Sequence, residues 1–212
     1  MKRTIVCSVL LLAGFALLPR QALALINLDL RPDLQNVNVG ATVSLGLYAV
    51  SDSAVNQSIG AMDVIVTWDP TKLNPISFTN AGNGYSWLSS SFPGSSPLNT
   101  SLSDGNARWT AFAQFGNPAF ATPAGLLVTT FQFQAIALTA TPTVVAIPRS
   151  LSPDLTVVYD GVTPNLDVTG TLDNNPGALV NIVPEPGAIV AIGCGFACFV
   201  LRRVRRSRDA IR

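Results

Sequence analysis

Histidine is absent from this chain, and glutamate occurs once, at Glu185. The three cysteines, Cys7, Cys194 and Cys198, all lie in apolar segments near the two ends, so the stretch between Leu25 and Val183 has no thiol. These absences exclude a disulfide framework, Cys/His zinc sites and every nucleophilic arrangement built on a Ser-His or Cys-His pair. Acid and base work would fall to aspartates alone, and nothing in their spacing selects a pair. No glycine-rich phosphate loop opens a helix, and there is no GxSxG elbow. The expectation is a protein without catalytic activity or cofactor.

Charge is also scarce. Only 12% of residues are charged, and the formal net of +1 arises from ends that cancel the middle. Between Leu25 and Val183 ten aspartates stand against Arg31, Lys72, Arg108 and Arg149, a net of −6. An acidic middle argues against nucleic acid as the partner. A length of 212 residues suits one domain with a real core.

What is present is sharply divided into ends and middle. The first 24 residues, MKRTIVCSVLLLAGFALLPRQALA, have a basic start, an apolar run from Ile5 to Leu18, and small residues at Ala22 and Ala24. That is the order of a secretory signal peptide, with cleavage predicted after Ala24. At the other end, Gly187 to Leu201 carries no charge and is followed by Arg202, Arg203, Arg205, Arg206 and Arg208. As a helix this run would span about 22 Å, short of a hydrocarbon core of about 30 Å. The arginines would stay cytoplasmic and the preceding domain would lie outside. Cys194 and Cys198, four apart, read as small apolar fillers.

Val183-Pro184-Glu185-Pro186-Gly187, then the apolar run 187–201, then the arginine-rich tail 202–212, resembles the PEP-CTERM sorting signal of exported proteins in Gram-negative bacteria. The resemblance covers residues 181–212. It implies recognition and processing by a membrane-embedded exosortase. The domain would be held at the inner membrane, in the periplasm, and would then move to the cell surface or the exopolysaccharide matrix. A plain single-pass anchor is the alternative reading of the same run. The two prolines keep the backbone before the run extended, a form that a processing enzyme can grip.

In the middle the dominant period is two. Val43, Leu45, Leu47 and Ala49 share one strand face, as do Met62, Val64, Val66 and Trp68, and Leu127, Phe131, Phe133 and Ala135. Asp69-Pro70, Asp104-Gly105 and Asp160-Gly161 punctuate these runs as turns. Many short strands with frequent turns predict an all-β antiparallel sandwich over residues 25–180. Trp68 would close its strand's apolar face, Asp69 would bond the following turn, and Pro70 would preset its φ.

VNVGATVSLGLYAV, IGAMDVIVTWDPTKLNPISFTN and AGLLVTTFQFQAIALTATPTVVAI, spanning Val37 to Ile147, resemble the cohesin-like β-sandwiches, relatives of carbohydrate-binding modules. The resemblance implies a jelly-roll sandwich that binds protein or polysaccharide. The partner of cellulosomal cohesins is a dockerin, and no residue here maps that binding face. Sugar binding has its own candidates: Tyr85 and Trp87, with Phe92, lie in a Gly/Ser/Pro-rich segment where rings can stack on sugar or fold back over a core. Trp109 reads as core. Asp160, Asn165, Asp167, Asp173 and Asn174 offer hard oxygen ligands suited to calcium, in a spacing that matches no known loop.

Overall fold

Period-two patterning produces strands because each then buries one face and wets the other. The structure is a computed structural model, and it describes residues 24–79, 85–92, 94–172 and 177–185. The expected signal helix, the apolar run 187–201 and the arginine tail lie outside the described residues. No helix among the described residues is long and apolar enough to cross a membrane.

In chain order the strands are β1 (Ile26–Arg31), β2 (Leu34–Asn38), β3 (Thr42–Ser51), β4 (Gln57–Ile59), β5 (Ala61–Thr67), β6 (Leu73–Thr79), β7 (Ser89–Ser91) and β8 (Asn106–Phe112). They continue as β9 (Ala119–Ala121), β10 (Leu126–Ala135), β11 (Thr143–Val145), β12 (Ser150–Leu151), β13 (Asp154–Leu155), β14 (Val157–Tyr159), β15 (Thr169–Leu172) and β16 (Ala178–Val183). Two 3-10 turns, Pro97–Asn99 and Leu102–Asp104, occupy the ground before β8.

One sheet has the order β15-β1-β3-β10-β6, and the facing sheet has the order β14-β5-β8-β7. The trio β11-β16-β2 joins the second sheet through paired backbone hydrogen bonds between Thr67 and Ala146, at 2.9 and 3.0 Å. Inward residues of both sheets form one core, in which Trp109 meets Phe131 edge-on at 6.3 Å and Trp68 packs on Phe133 at 5.3 Å.

The pairing is antiparallel except at the two ends of the domain. β1 pairs in parallel with β15, and β2 in parallel with β16. Both end segments change sheets together: β1 turns at Pro32 into β2, while β15 leads to β16. Where β1 leaves β3, the Gln35 amide takes its place, donating to Ser44 O at 2.9 Å and accepting from Ser44 N at 3.3 Å. Gln35→Ala should therefore lower stability by about 1–2 kcal/mol in urea denaturation, since both Ser44 backbone groups lose their partner.

This threading gives the sandwich two unlike ends. Leu25 and Asp52 exchange hydrogen bonds at one end. At the other, Val39 N bonds Val183 O at 3.2 Å and Gly40 N bonds Ala135 O at 2.7 Å. β3, ten residues long, runs from the second end to the first, about 33 Å of strand. The last strand passes residue 180 and ends at Val183, so the expected sorting motif would start on the final residue of this strand.

The expected inward faces hold with one correction. Val43, Leu45, Leu47 and Ala49 are buried, as are Met62, Val64, Val66 and Trp68. Leu127 is not: a bulge between Leu127 and Thr129 puts Val128 and Thr129 inside and turns Leu127 outward over Gly46. The Asp69-Pro70 turn forms as expected. Asp69 Oδ1 accepts from Thr71 N at 2.8 Å, and Gly105, at φ 84°, sits where a Cβ would lie 2.4 Å from Trp68 O.

Candidate binding surface

The outer face of the β14-β5-β8-β7 sheet is divided into a covered half and an open half. Register sets its rows: Tyr159, Ala61, Phe112 and Ser89 are side by side, then Val157, Asp63, Thr110 and Ser91, then Ile65 beside Arg108.

The row at Arg108 is covered. Ile65, on the face away from the main core, is nonetheless fully buried, and its N–H donates to Thr156 Oγ1 at 3.0 Å. The cover is pinned by Arg108, whose guanidinium reaches Asp63 and Asp154, each at 2.7 Å. Asp154 also accepts from Ser96 Oγ at 3.0 Å, and Asp63 from Thr110 Oγ1. The Asn99 amide exchanges two bonds, each 2.9 Å, with the Arg108 backbone. Burial alone would lower the Arg108 pKa, but the two carboxylates outweigh it and hold the pKa above its usual value.

The open half is apolar. Phe112 is exposed beside Ala61, with Tyr159 on the far side of that alanine. Two loops extend the surface beyond the strand ends. The Gln114–Asn117 turn holds Phe115 out at 103% exposure, and the Asp160–Leu166 loop carries Val162 at 78%. Exposed Phe120 lies on β9, and exposed Leu88 bonds its N–H to Phe112 O at 2.9 Å. The loops touch through Gly161, where an added Cβ would come within 2.5 Å of Pro118. No charged residue occurs from Phe112 to Gly125. Large exposed apolar side chains gathered toward one end of a sheet make a candidate interaction surface, flanked by Asp63 and Asp160, whose carboxylates are bonded within the fold.

No protein-family profile matches the chain, and no curated protein is similar to it in sequence. Solved structures do match. A cohesin module from a Clostridium perfringens family 33 glycoside hydrolase superimposes with a TM-score of 0.54 at 13% identity, covering 76% of this chain and 99% of that one. A Clostridium thermocellum OlpA cohesin, solved in complex with dockerin Doc918, gives 0.53 at 10% identity over 75% and 99%. The sixth cohesin of scaffoldin B from Acetivibrio cellulolyticus, solved with a Cel5 dockerin, gives 0.51 at 15% over 77% and 100%. The fold is that of a cohesin.

Within this cohesin-like sandwich, Tyr85 and Trp87 take supporting positions. Trp87 is 7% exposed, packs into the core and donates Nε1–H to Val128 O at 3.1 Å. Its ring is turned into the core, which leaves almost none of it for a sugar to stack on. Tyr85 packs edge-on against Trp87 at 4.8 Å. Its hydroxyl donates to Asn117 O and accepts from Gln114 N, stapling the turn that holds Phe115 out. Phe92 packs against the core, and Trp109 is fully buried as expected.

The calcium candidates are engaged in turns. Asp160 accepts from Ser58 Oγ and from Thr163 N at 2.8 Å. Asp167 accepts from Thr169 N at 2.9 Å, Thr169 Oγ1 at 2.6 Å and Arg149 Nη2 at 2.8 Å. Asn165 takes the left-handed conformation at φ 61°, a turn role that asparagine tolerates. Asp173 and Asn174 lie outside the described residues. Among the described residues no group of three or more His, Cys, Asp or Glu could hold a metal ion.

Of the residues expected to form a sorting motif, Val183 is a strand residue and Pro184 and Glu185 are exposed. Pro186, Gly187, Arg202, Arg203, Arg205, Arg206 and Arg208 lie outside the described residues.

The aspartates set the pH response of this fold. Burial raises the pKa of Asp160, but bonds from Ser58, Thr163 and Val162 outweigh it, and the net shift is downward. Burial likewise raises Asp167, while Thr169 and the Arg149 charge bring it below the usual value. Bonds from Thr71 lower Asp69. Depressed carboxylate pKa values give stability that is present above the unfolded value and lost as pH falls through the folded one. With no histidine and no thiol in the sandwich, the thermal midpoint should be flat from about pH 5 to 9 and should fall below about pH 4. A midpoint that drifted across the neutral range would contradict this assignment.

Proposed function

We propose that this chain is a non-catalytic binding protein of the bacterial envelope: a cohesin-like sandwich exported by its signal segment, sorted by an exosortase-type system through its tail, and acting by protein–protein contact. The observation that carries the reading is the set of exposed apolar side chains Phe112, Phe115, Phe120 and Val162, three of them on a charge-free segment of an otherwise acidic domain. Apolar anchors rimmed by polar backbone suit a protein partner better than a sugar, whose hydroxyls need hydrogen-bonding side chains around the stacking ring. That cohesins of the same fold are solved in complex with dockerins supports contact with a protein. The exopolysaccharide matrix is then the setting of the domain rather than its ligand, since Tyr85 and Trp87 serve the fold.

The test is retention of purified residues 25–185 on envelope fractions of the producing cell. Retention on the protein fraction, lost after protease treatment of that fraction, is expected. Retention that survives protease and follows the polysaccharide would overturn the reading in favour of a carbohydrate-binding module. Mass spectrometry of the surface-exposed protein tests the sorting: a C-terminus within or just after Val183–Gly187 is expected, whereas an intact Arg212 argues for the plain anchor.

A further inference from the structure

The end of the sandwich where the tail departs has an apolar tip of its own. Ile136 and Leu138, at 44% and 49% exposure, lie on the loop between β10 and β11. That loop is fixed on both flanks: Ile136 N bonds Lys72 O at 2.9 Å, Lys72 Nζ bonds Leu138 O at 2.9 Å, and Thr139 N bonds Ile182 O at 3.1 Å. Ile182 N returns a bond to Thr139 Oγ1 at 2.8 Å, tying the loop to the strand from which the tail leaves. The two apolar side chains are therefore presented at the exit rather than folded inward.

The tether is short. Between Val183, locked in β16, and Gly187, where the apolar run begins, lie only Pro184, Glu185 and Pro186. From Val183 to Gly187 is four residue steps, which fully extended reach about 14 Å. The polar layer on each side of a bilayer is itself about 5–7 Å deep. A sandwich whose tail enters the hydrocarbon at Gly187 is thus held with its exit end within about 14 Å of that hydrocarbon, close enough for exposed side chains at this end to reach the headgroups.

Resting on the sorting tail proposed above, which would hold the domain at the membrane until it is processed, we infer that this end of the sandwich is a lipid-contact surface in that state, with Ile136 and Leu138 seated among the headgroups beside the tail's entry point. Asp69, Asp104 and Glu185 stand against Lys72 at this end, so the contact is apolar and needs no anionic lipid. The Phe112–Phe115 surface then faces away from the membrane, about a β3 length distant, where a partner can reach it.

The experiment uses the chain from Leu25 to Arg212 in phosphatidylcholine vesicles, with Cys194→Ala and Cys198→Ala, and a fluorophore on Leu138→Cys or, separately, on Phe115→Cys. Lipids carrying a nitroxide near the headgroup should quench the label at 138 several-fold more than the label at 115, independently of added salt. Flotation with the vesicles but equal quenching at both positions overturns the lipid contact and leaves the tail reading intact. Failure to float overturns the tail reading, and the lipid contact with it.

Discussion

Phe112→Asp should reduce partner retention at least tenfold while leaving the urea midpoint of residues 25–185 close to that of the parent. The ring is half exposed on the outer face of β8, so removing it opens no core cavity. Its backbone still pairs with Ala61 and Ser89. A carboxylate there would place a new, unpaired charge among exposed apolar side chains and would have to be desolvated on binding. Losing one buried aromatic anchor costs an interface about 2 kcal/mol or more, which corresponds to a factor of ten or above. Phe115→Asp should act in the same direction. Asp for Ile76, exposed on β6 of the other sheet, should leave retention unchanged. Equal losses at Phe112 and Ile76 would show that the outer face of β14-β5-β8-β7 is not the binding surface.

Arg108→Ala should cost about 2–3 kcal/mol, the largest loss expected from any charged residue of the sandwich. Breaking a buried pair costs about 3–5 kcal/mol, and that figure is discounted because the Arg108 side chain is 28% exposed. The loss is large because Asp154, almost fully buried, would keep only Ser96 Oγ as its side-chain partner. By contrast, Arg149 and Asp167 are both substantially exposed, so Arg149→Ala should change stability by no more than about 0.5 kcal/mol. Equal urea midpoints for the two variants would contradict the role given to Arg108. The same residue limits the binding surface. By pinning Asp154 and the Pro97–Asn99 turn across the sheet, Arg108 covers the row at Ile65 and leaves the row at Phe112 open.

The strand cores were legible in the sequence because the code for a half-buried strand is local. Val43 to Ala49 alternate without interruption, and Met62, Val64, Val66 and Trp68 point where their period says, with Ile65 between them buried on the opposite face under the Asp154 cover. Leu127 departed from its period because a bulge is set by the pairing of β10 with β3, which no window of one strand contains. The parallel pairs β1/β15 and β2/β16 were invisible for the same reason: they join residues from opposite ends of the domain.

The proposed binding surface was less legible than the fold. Tyr85 and Trp87 drew attention as aromatics in a polar loop, yet the one staples a turn and the other seals the core. The better signal was Phe115 in Gln-Phe-Gly-Asn-Pro, a large apolar residue at the tip of a turn with nothing nearby in sequence to bury it. Asp63 and Asp154 read as ordinary acids because their common partner, Arg108, lies 45 and 46 residues away from them in the chain.

The most direct test of the account is site-specific photocrosslinking in the producing cell, with a photoreactive residue at position 115 in one strain and at position 76 in another. A discrete protein adduct is expected from position 115 and none from position 76. An adduct from position 76 alone, or none from position 115 in protein that has reached the surface, would contradict the account.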